Sequence, residues 1–98
     1  MRFRRAVALC RPGTPGRHTQ RLIDLYNLVL VYTVVTDCAS TKLTTMLAGQ
    51  HLFEYGAEAL VLPHMTRAQV EQEERWRALA VVADIVTGDG LVEYAPLF

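Results

Sequence analysis

Ala6-Val7-Ala8-Leu9-Cys10-Arg11-Pro12-Gly13-Thr14 is an apolar run closed by an arginine and a Pro/Gly turn. The run has the length of a buried strand, and the residues after it cannot continue one. Pro12 lacks an amide proton, and Gly13 tolerates turn conformations closed to other residues. A strand that ends in an arginine and a tight turn stands where open α/β folds place their functional loops.

Downstream the pattern alternates between strand and helix. Arg5 to Cys10 is the first strand, and His18 to Asn27 has helical spacing at Leu22, Leu25 and Tyr26. Leu28 to Val35 is rich in β-branched residues and reads as the second strand. Ser40 and Thr41 can cap a helix whose apolar stripe is Leu43, Met46, Leu47 and Phe53, ending at Gly56. Ala59 to Leu62 is a third strand, closed by Pro63. Thr66-x-x-Gln69 has the form of a capping box and is expected to open the longest helix, reaching about Val86. On it Glu71 with Arg75 and Glu73 with Arg77 stand at i,i+4 spacing. Gly88-Asp89-Gly90 is a turn, and Leu91 to Tyr94 a last short strand.

The order is β-α-β-α-β-α-β. Continuous apolar strands joined by helices call for a parallel sheet covered on both faces, because right-handed crossovers lay helices against it. The expected fold is therefore one three-layer α/β domain over residues 1–98, with a mainly parallel four-stranded sheet. Ninety-eight residues, 51% of them apolar and 20% charged, suffice for a single hydrophobic core and exclude a disordered chain. The loops leaving the strands gather at one sheet edge, bringing Arg11 to Arg17, Asp37 to Lys42 and His64 to Arg67 together.

Net charge is zero, but Arg2, Arg4, Arg5, Arg11, Arg17 and Arg21 all precede the first acid, Asp24. Such an end can contact phosphate or nucleic acid, or it can be a solvated terminus and loop. Ala6 to Cys10 is too short for a signal-peptide core. Leu28 to Val35, the longest apolar run, falls far below the roughly 20 residues of a membrane helix. A cytoplasmic protein is expected, with Cys10 and Cys38 as thiols.

The sequence Val7-Ala8-Leu9-Cys10-Arg11-Pro12-Gly13-Thr14, a helix containing Gln20, a strand ending in Asp37 with Ser40 after it, then Gly56, Leu60-Val61-Leu62 and Thr66-Arg67, resembles the catalytic domain of serine recombinases, the resolvases and invertases. That family begins with strand-Arg-x-Ser, has an Asp-x-x-Ser loop after its second strand and carries Asp-Arg after its third. The resemblance covers almost the whole chain and implies a resolvase-like fold. In the family, the serine two residues after the arginine attacks a DNA phosphodiester, and clustered guanidinium groups meet the developing charge. Here that position is Gly13, the acid before Arg67 is Thr66, and Val70 stands where a second arginine is expected. Arg11 and Arg67 are retained, with Lys42 a poor stand-in for a third cation. The resemblance thus implies a domain that keeps the fold without the catalytic set. It stops short of the long dimer helix and DNA-reading module that the family adds, and neither is expected after Tyr94.

Arg11, Arg67, Arg17 and Lys42 are the candidate phosphate-binding residues. Each also has a structural reading: Arg11 can hold loop carbonyls or an acid, and Thr66 beside Arg67 is a helix cap. Arg67 in a first helical turn meets no favourable dipole, which hints at an anion nearby. Trp76, Leu79, Ala83 and Val86 form a wide apolar stripe on the last helix and are the candidate interface. Cys10, His18, Cys38 and His64 fall near one loop edge, but without Cys-x-x-Cys or His-x-x-x-His spacing no metal site is assigned. Pro15 between Gly13 and Gly16 removes an amide that a dinucleotide loop needs, and no cofactor is expected. The leading functional expectation is a non-catalytic dimerisation or regulatory module, as a homo-oligomer or with a protein partner. The alternative is salt-dependent DNA or phosphate binding through Arg2, Arg4, Arg5, Arg11, Arg17 and Arg67, as part of a recombination protein. A different enzyme on a flavodoxin-like sheet ranks below both, since no nucleophile stands beside a base.

Overall fold

Alternation along the first strand sorts the core into two layers. In the computed structural model, which describes residues 3–95, β1 spans Arg4–Cys10. Val7 and Leu9 point to one side of the sheet, and Ala6, Ala8 and Cys10 to the other. The remaining elements are α1 (Gly16–Leu25), β2 (Leu28–Val35), α2 (Thr41–Glu54), β3 (Ala59–Leu62), α3 (Arg67–Gln72), α4 (Glu74–Leu79), β4 (Asp84–Thr87) and β5 (Leu91–Val92).

The sheet has five strands in the order β2-β1-β3-β4-β5. The first four are parallel, and β5 runs antiparallel to β4. The α/β class and three layers thus stand, but the four-stranded sheet is corrected to a mixed five-stranded one. Residues of α2, α3 and α4 cover the Val7 and Leu9 side with Ala48, Leu52, Val70, Trp76 and Ala80. Helix α1 covers the other face through Leu22 and Ile23, which pack on Ala6, Ala8, Ala59 and Val61. Alanines on that face let one helix approach closely.

The expected long helix from Thr66 to Val86 does not exist. Thr66 opens α3 with a complete capping box: its hydroxyl accepts from the Gln69 amide, and the Gln69 side chain accepts from the Thr66 amide. Glu73 then takes an extended conformation (φ −99°, ψ 114°), closing α3 and capping α4 through its carboxylate, which accepts from Arg75 N at 3.2 Å. The anticipated i,i+4 pairs are lost with the helix. Glu71 instead binds Arg67 through Arg67 Nε at 2.8 Å, and Arg77 donates to the Glu71 carbonyl.

Beyond α4, Asp84–Thr87 returns to the sheet as β4, which the helical reading had absorbed. The β-branched Ile85 and Val86 are fully buried there, because β3 needs a neighbour on that side. Asp84 holds the strand start in place: its carboxylate pairs with Arg4 of β1 and accepts from the Tyr94 amide. Thr87 is also buried, its hydroxyl donating to Gly90 O at 2.7 Å across the β4–β5 turn.

Helix α2 presents a second correction. Leu43, Met46 and Phe53, read from the sequence as its core stripe, are exposed, Phe53 to 90%. Its buried residues are Thr44, Thr45, Ala48 and Leu52. Two threonines can enter the core because their hydroxyls donate within the helix, Thr44 to Ser40 O at 2.9 Å and Thr45 to Thr41 O at 2.7 Å. Gly49 lies toward α4, where a side-chain carbon would sit 3.5 Å from Leu79 Cδ2. The helix ends in a Schellman turn: Gly56 at φ +59°, with Ala57 N donating to Leu52 O at 2.9 Å and Gly56 N to Phe53 O at 3.2 Å.

Candidate functional site

The chain leaves β1 toward β2 on one side and returns to β3 on the other, so the loops at the carboxyl ends of β1 and β3 part there. In open α/β sheets this point forms a crevice suited to ligands. Here it encloses about 310 Å³. Leu9 and Trp76 are among its apolar lining, and Arg11, Thr41, His64, Gln69 and Glu73 are among its polar lining.

Arg11 is half-buried and donates through one guanidinium nitrogen to Cys38 O at 2.9 Å, tying the β1 and β2 loops together. Beyond it the turn closes through Thr14 N and Thr14 Oγ1, both donating to Arg11 O at 3.1 and 2.8 Å. Gly13 lies in this turn at φ +86°, a conformation that L side chains rarely adopt. Position 13 is therefore shaped for glycine, and the neighbouring Thr14 hydroxyl is held by a carbonyl.

His64 lies at the end of β3 in the crevice wall. Burial first, and the Arg11 charge second, lower its pKa below the ordinary 6.5. Its Nδ1 is buried without a hydrogen-bond partner among the described residues. Protonating the unfolded chain near pH 6.5 costs less than protonating the native one, so this group's contribution to stability is present above that pH and is lost as pH falls through the lowered value.

The other candidate cations do not converge on Arg11. Arg67 faces Glu71, its backbone amide donates to Asp89 Oδ1 at 2.7 Å, and Asp89 and Glu93 add to the negative field around it. That amide is the main reason the Asp89 pKa falls below its usual value. The anion sought beside Arg67 is thus supplied by the chain itself. Arg17 lines a separate shallow surface with Pro15, His18 and Arg21. Lys42, exposed in the first turn of α2, makes no ion pair among the described residues. Arg2 lies outside the described residues.

The metal constellation also disperses. Cys10 is buried with its sulfur 3.8 Å from Thr19 Oγ1, and His18 Nε2 lies 3.1 Å from Pro63 O. Among the described residues no group of three His, Cys, Asp or Glu side chains is placed to hold an ion. No helix there is long and apolar enough to cross a membrane.

The stripe proposed as an interface is used by the core. Trp76 is 5% exposed and packs in the cluster that contains Ala83, while Val86 lies in β4 beneath α1; Leu79 is half-buried against the first cluster. Exposed apolar surface occurs elsewhere. Besides the outer stripe of α2, the edge strand β2 exposes Val29, Leu30, Tyr32 and Val35, the last to 61%. The two surfaces adjoin through Tyr32, whose ring stacks on Tyr55 at 4.8 Å and lies 4.8 Å from His51 of α2.

Sequence reasoning missed Glu73 and Trp76 as crevice residues, because a continuous helix would have carried them away from β1; Gln69 entered it only as the capping-box partner of Thr66. The turn at Glu73 has no proline or glycine to signal it. Comparison with protein-family models, curated proteins and solved structures returns no match for this chain. The resemblance to serine recombinases therefore rests on the motif residues alone.

Proposed function

We propose that this is a non-catalytic, resolvase-like domain that works by self-association, pairing β2 of one copy with β2 of a second. The observation that carries this reading is the contrast between the two sheet edges. The β5 edge has two residues, whereas the β2 edge has eight, Leu-Val-Leu-Val-Tyr-Thr-Val-Val, without a charge or a proline. Long edges are normally blunted by charge, proline or bulges. A register shift at Ala6/Val7 leaves Val31 as an extra residue in β2, but the four residues after it are regular and end in the exposed Val35.

A second copy suits this edge. An antiparallel pairing about a two-fold axis sets the same uncharged strand against itself, with no like charges opposed. Eight residues span about 27 Å at ~3.4 Å each, close to the domain's own 34 × 30 × 26 Å dimensions. Pairing along that length satisfies the strand's outward amides and carbonyls and draws in the exposed Val29, Leu30, Tyr32 and Val35. Gly13 in its left-handed turn supports the non-catalytic part of the reading.

Nucleic-acid contact through the arginines has less support. Arg4 is paired with Asp84, Arg5 donates to Tyr55 O, Arg11 to Cys38 O and Arg67 to Glu71.

Amide hydrogen exchange tests the pairing. Raising protein concentration through the dimerisation range is expected to slow the outward-facing amides of Leu28–Val35 at least tenfold, leaving the buried β3 amides unchanged. Exchange in β2 that is independent of concentration contradicts it.

A further inference from the structure

The crevice between β1 and β3 holds two opposite charges that do not meet. Arg11 and Glu73 both line it, yet no ion pair within 4.0 Å joins them. Arg11 directs one nitrogen to Cys38 O, and its other guanidinium N–H groups have no acceptor among the described residues. Glu73 uses Oε1 to cap α4, leaving its second oxygen without a donor there. The same crevice is lined by His64, whose Nδ1 is buried and unpartnered among the described residues, by the half-buried Met65 and by the edges of Leu9 and Trp76.

From this arrangement we propose that the crevice binds a small zwitterion with an apolar side chain, of the α-amino-acid type. Its carboxylate meets Arg11, its ammonium meets Glu73, and its side chain lies against Met65 and the exposed edges of Leu9 and Trp76. The charge pattern selects the class. A simple anion such as phosphate gains Arg11 but faces the Glu73 carboxylate, and a simple cation meets the reverse. A volume of about 310 Å³ is at the small end of the range of roughly 300–1,000 Å³ for small-molecule sites, which fits a molecule of amino-acid size. His64 adds no charge to such a site, since burial first and the Arg11 charge second oppose its protonation. This site is independent of the β2 edge and does not rest on self-association.

Trp76 is the chain's one tryptophan, so its fluorescence reports directly on the crevice. Titration with L-leucine, L-methionine and L-phenylalanine is expected to give a saturable change for at least one. With leucine as the probe, 4-methylpentanoate lacks the ammonium and 3-methylbutylamine lacks the carboxylate. The corresponding acid and amine of the amino acid that binds are each expected to bind at least tenfold more weakly. Arg11→Gln and Glu73→Gln are expected to weaken binding at least tenfold while keeping the thermal transition of the parent; the glutamine carbonyl can still cap α4. No saturable change with any of the three amino acids overturns the proposal. So does an acid or amine that binds as tightly as its parent, or folded variants that bind unchanged.

Discussion

Trp76→Ala is expected to destabilise the domain by about 3–5 kcal/mol, the cost of emptying a large aromatic site in a packed core. The indole is 5% exposed and shares a cluster with Val7, Leu9, Leu60 and Leu62. Its removal opens the layer between α4 and the sheet and takes away part of the crevice lining. A domain of this size has only about 5–15 kcal/mol of stability in total, so the variant is expected to be close to unfolding at 37 °C. Urea denaturation followed by far-ultraviolet circular dichroism measures the loss. A change below about 1 kcal/mol would contradict its place in the packed core.

The second large effect concerns association. Thr33→Lys with Val35→Lys places two cations on one face of β2, since Thr33 and Val35 align with Ala8 and Cys10 of β1. In the paired arrangement the two lysines at position 33 lie near the two-fold axis, and those at position 35 enter the other copy's uncharged strand. Like charges set against one another in an interface cost several kcal/mol, so the dissociation constant is expected to rise at least 100-fold. Both positions are exposed, and the monomer's thermal stability is expected to change little. Val82→Lys, an equally drastic change at a position 62% exposed and away from β2, is the control and is expected to leave association intact. Sedimentation velocity separates these outcomes; a double-lysine variant that associates like the parent removes β2 from the interface.

The parts of the fold readable from sequence are those where one pattern had no rival. β1, β2 and β3 are apolar runs closed by turn residues, and Thr66 with Gln69 forms the capping box its spacing announces. β4 was hidden because Leu79-Ala80-Val81-Val82-Ala83 satisfies helical and extended periodicities alike, so a helix running through it cost nothing in pattern. What decides the matter is non-local: β3 offers an unfilled edge, and Ile85 and Val86 fill it. The α2 error has a different origin. Counting Leu43, Met46 and Phe53 as core assumes that threonine faces water, whereas Thr44 and Thr45 satisfy their hydroxyls internally and take the buried side.

The candidate site was legible in position and not in membership. Arg11 at the end of β1 does stand at the crevice, as the first strand and its turn require. Arg67 was assigned to the same edge but is turned toward Glu71, Asp89 and Glu93, carboxylates contributed by residues 4, 22 and 26 positions later in the chain. Glu73 entered the site only because the helix breaks there, an event driven by packing of α4 against α2 and the sheet rather than by any local breaker.

Sedimentation equilibrium of the unmodified protein over a range of concentrations tests self-association most directly. The expected result is a mass approaching twice the 11.0 kDa of one chain as concentration rises. A mass that stays at 11.0 kDa at the highest concentrations contradicts it.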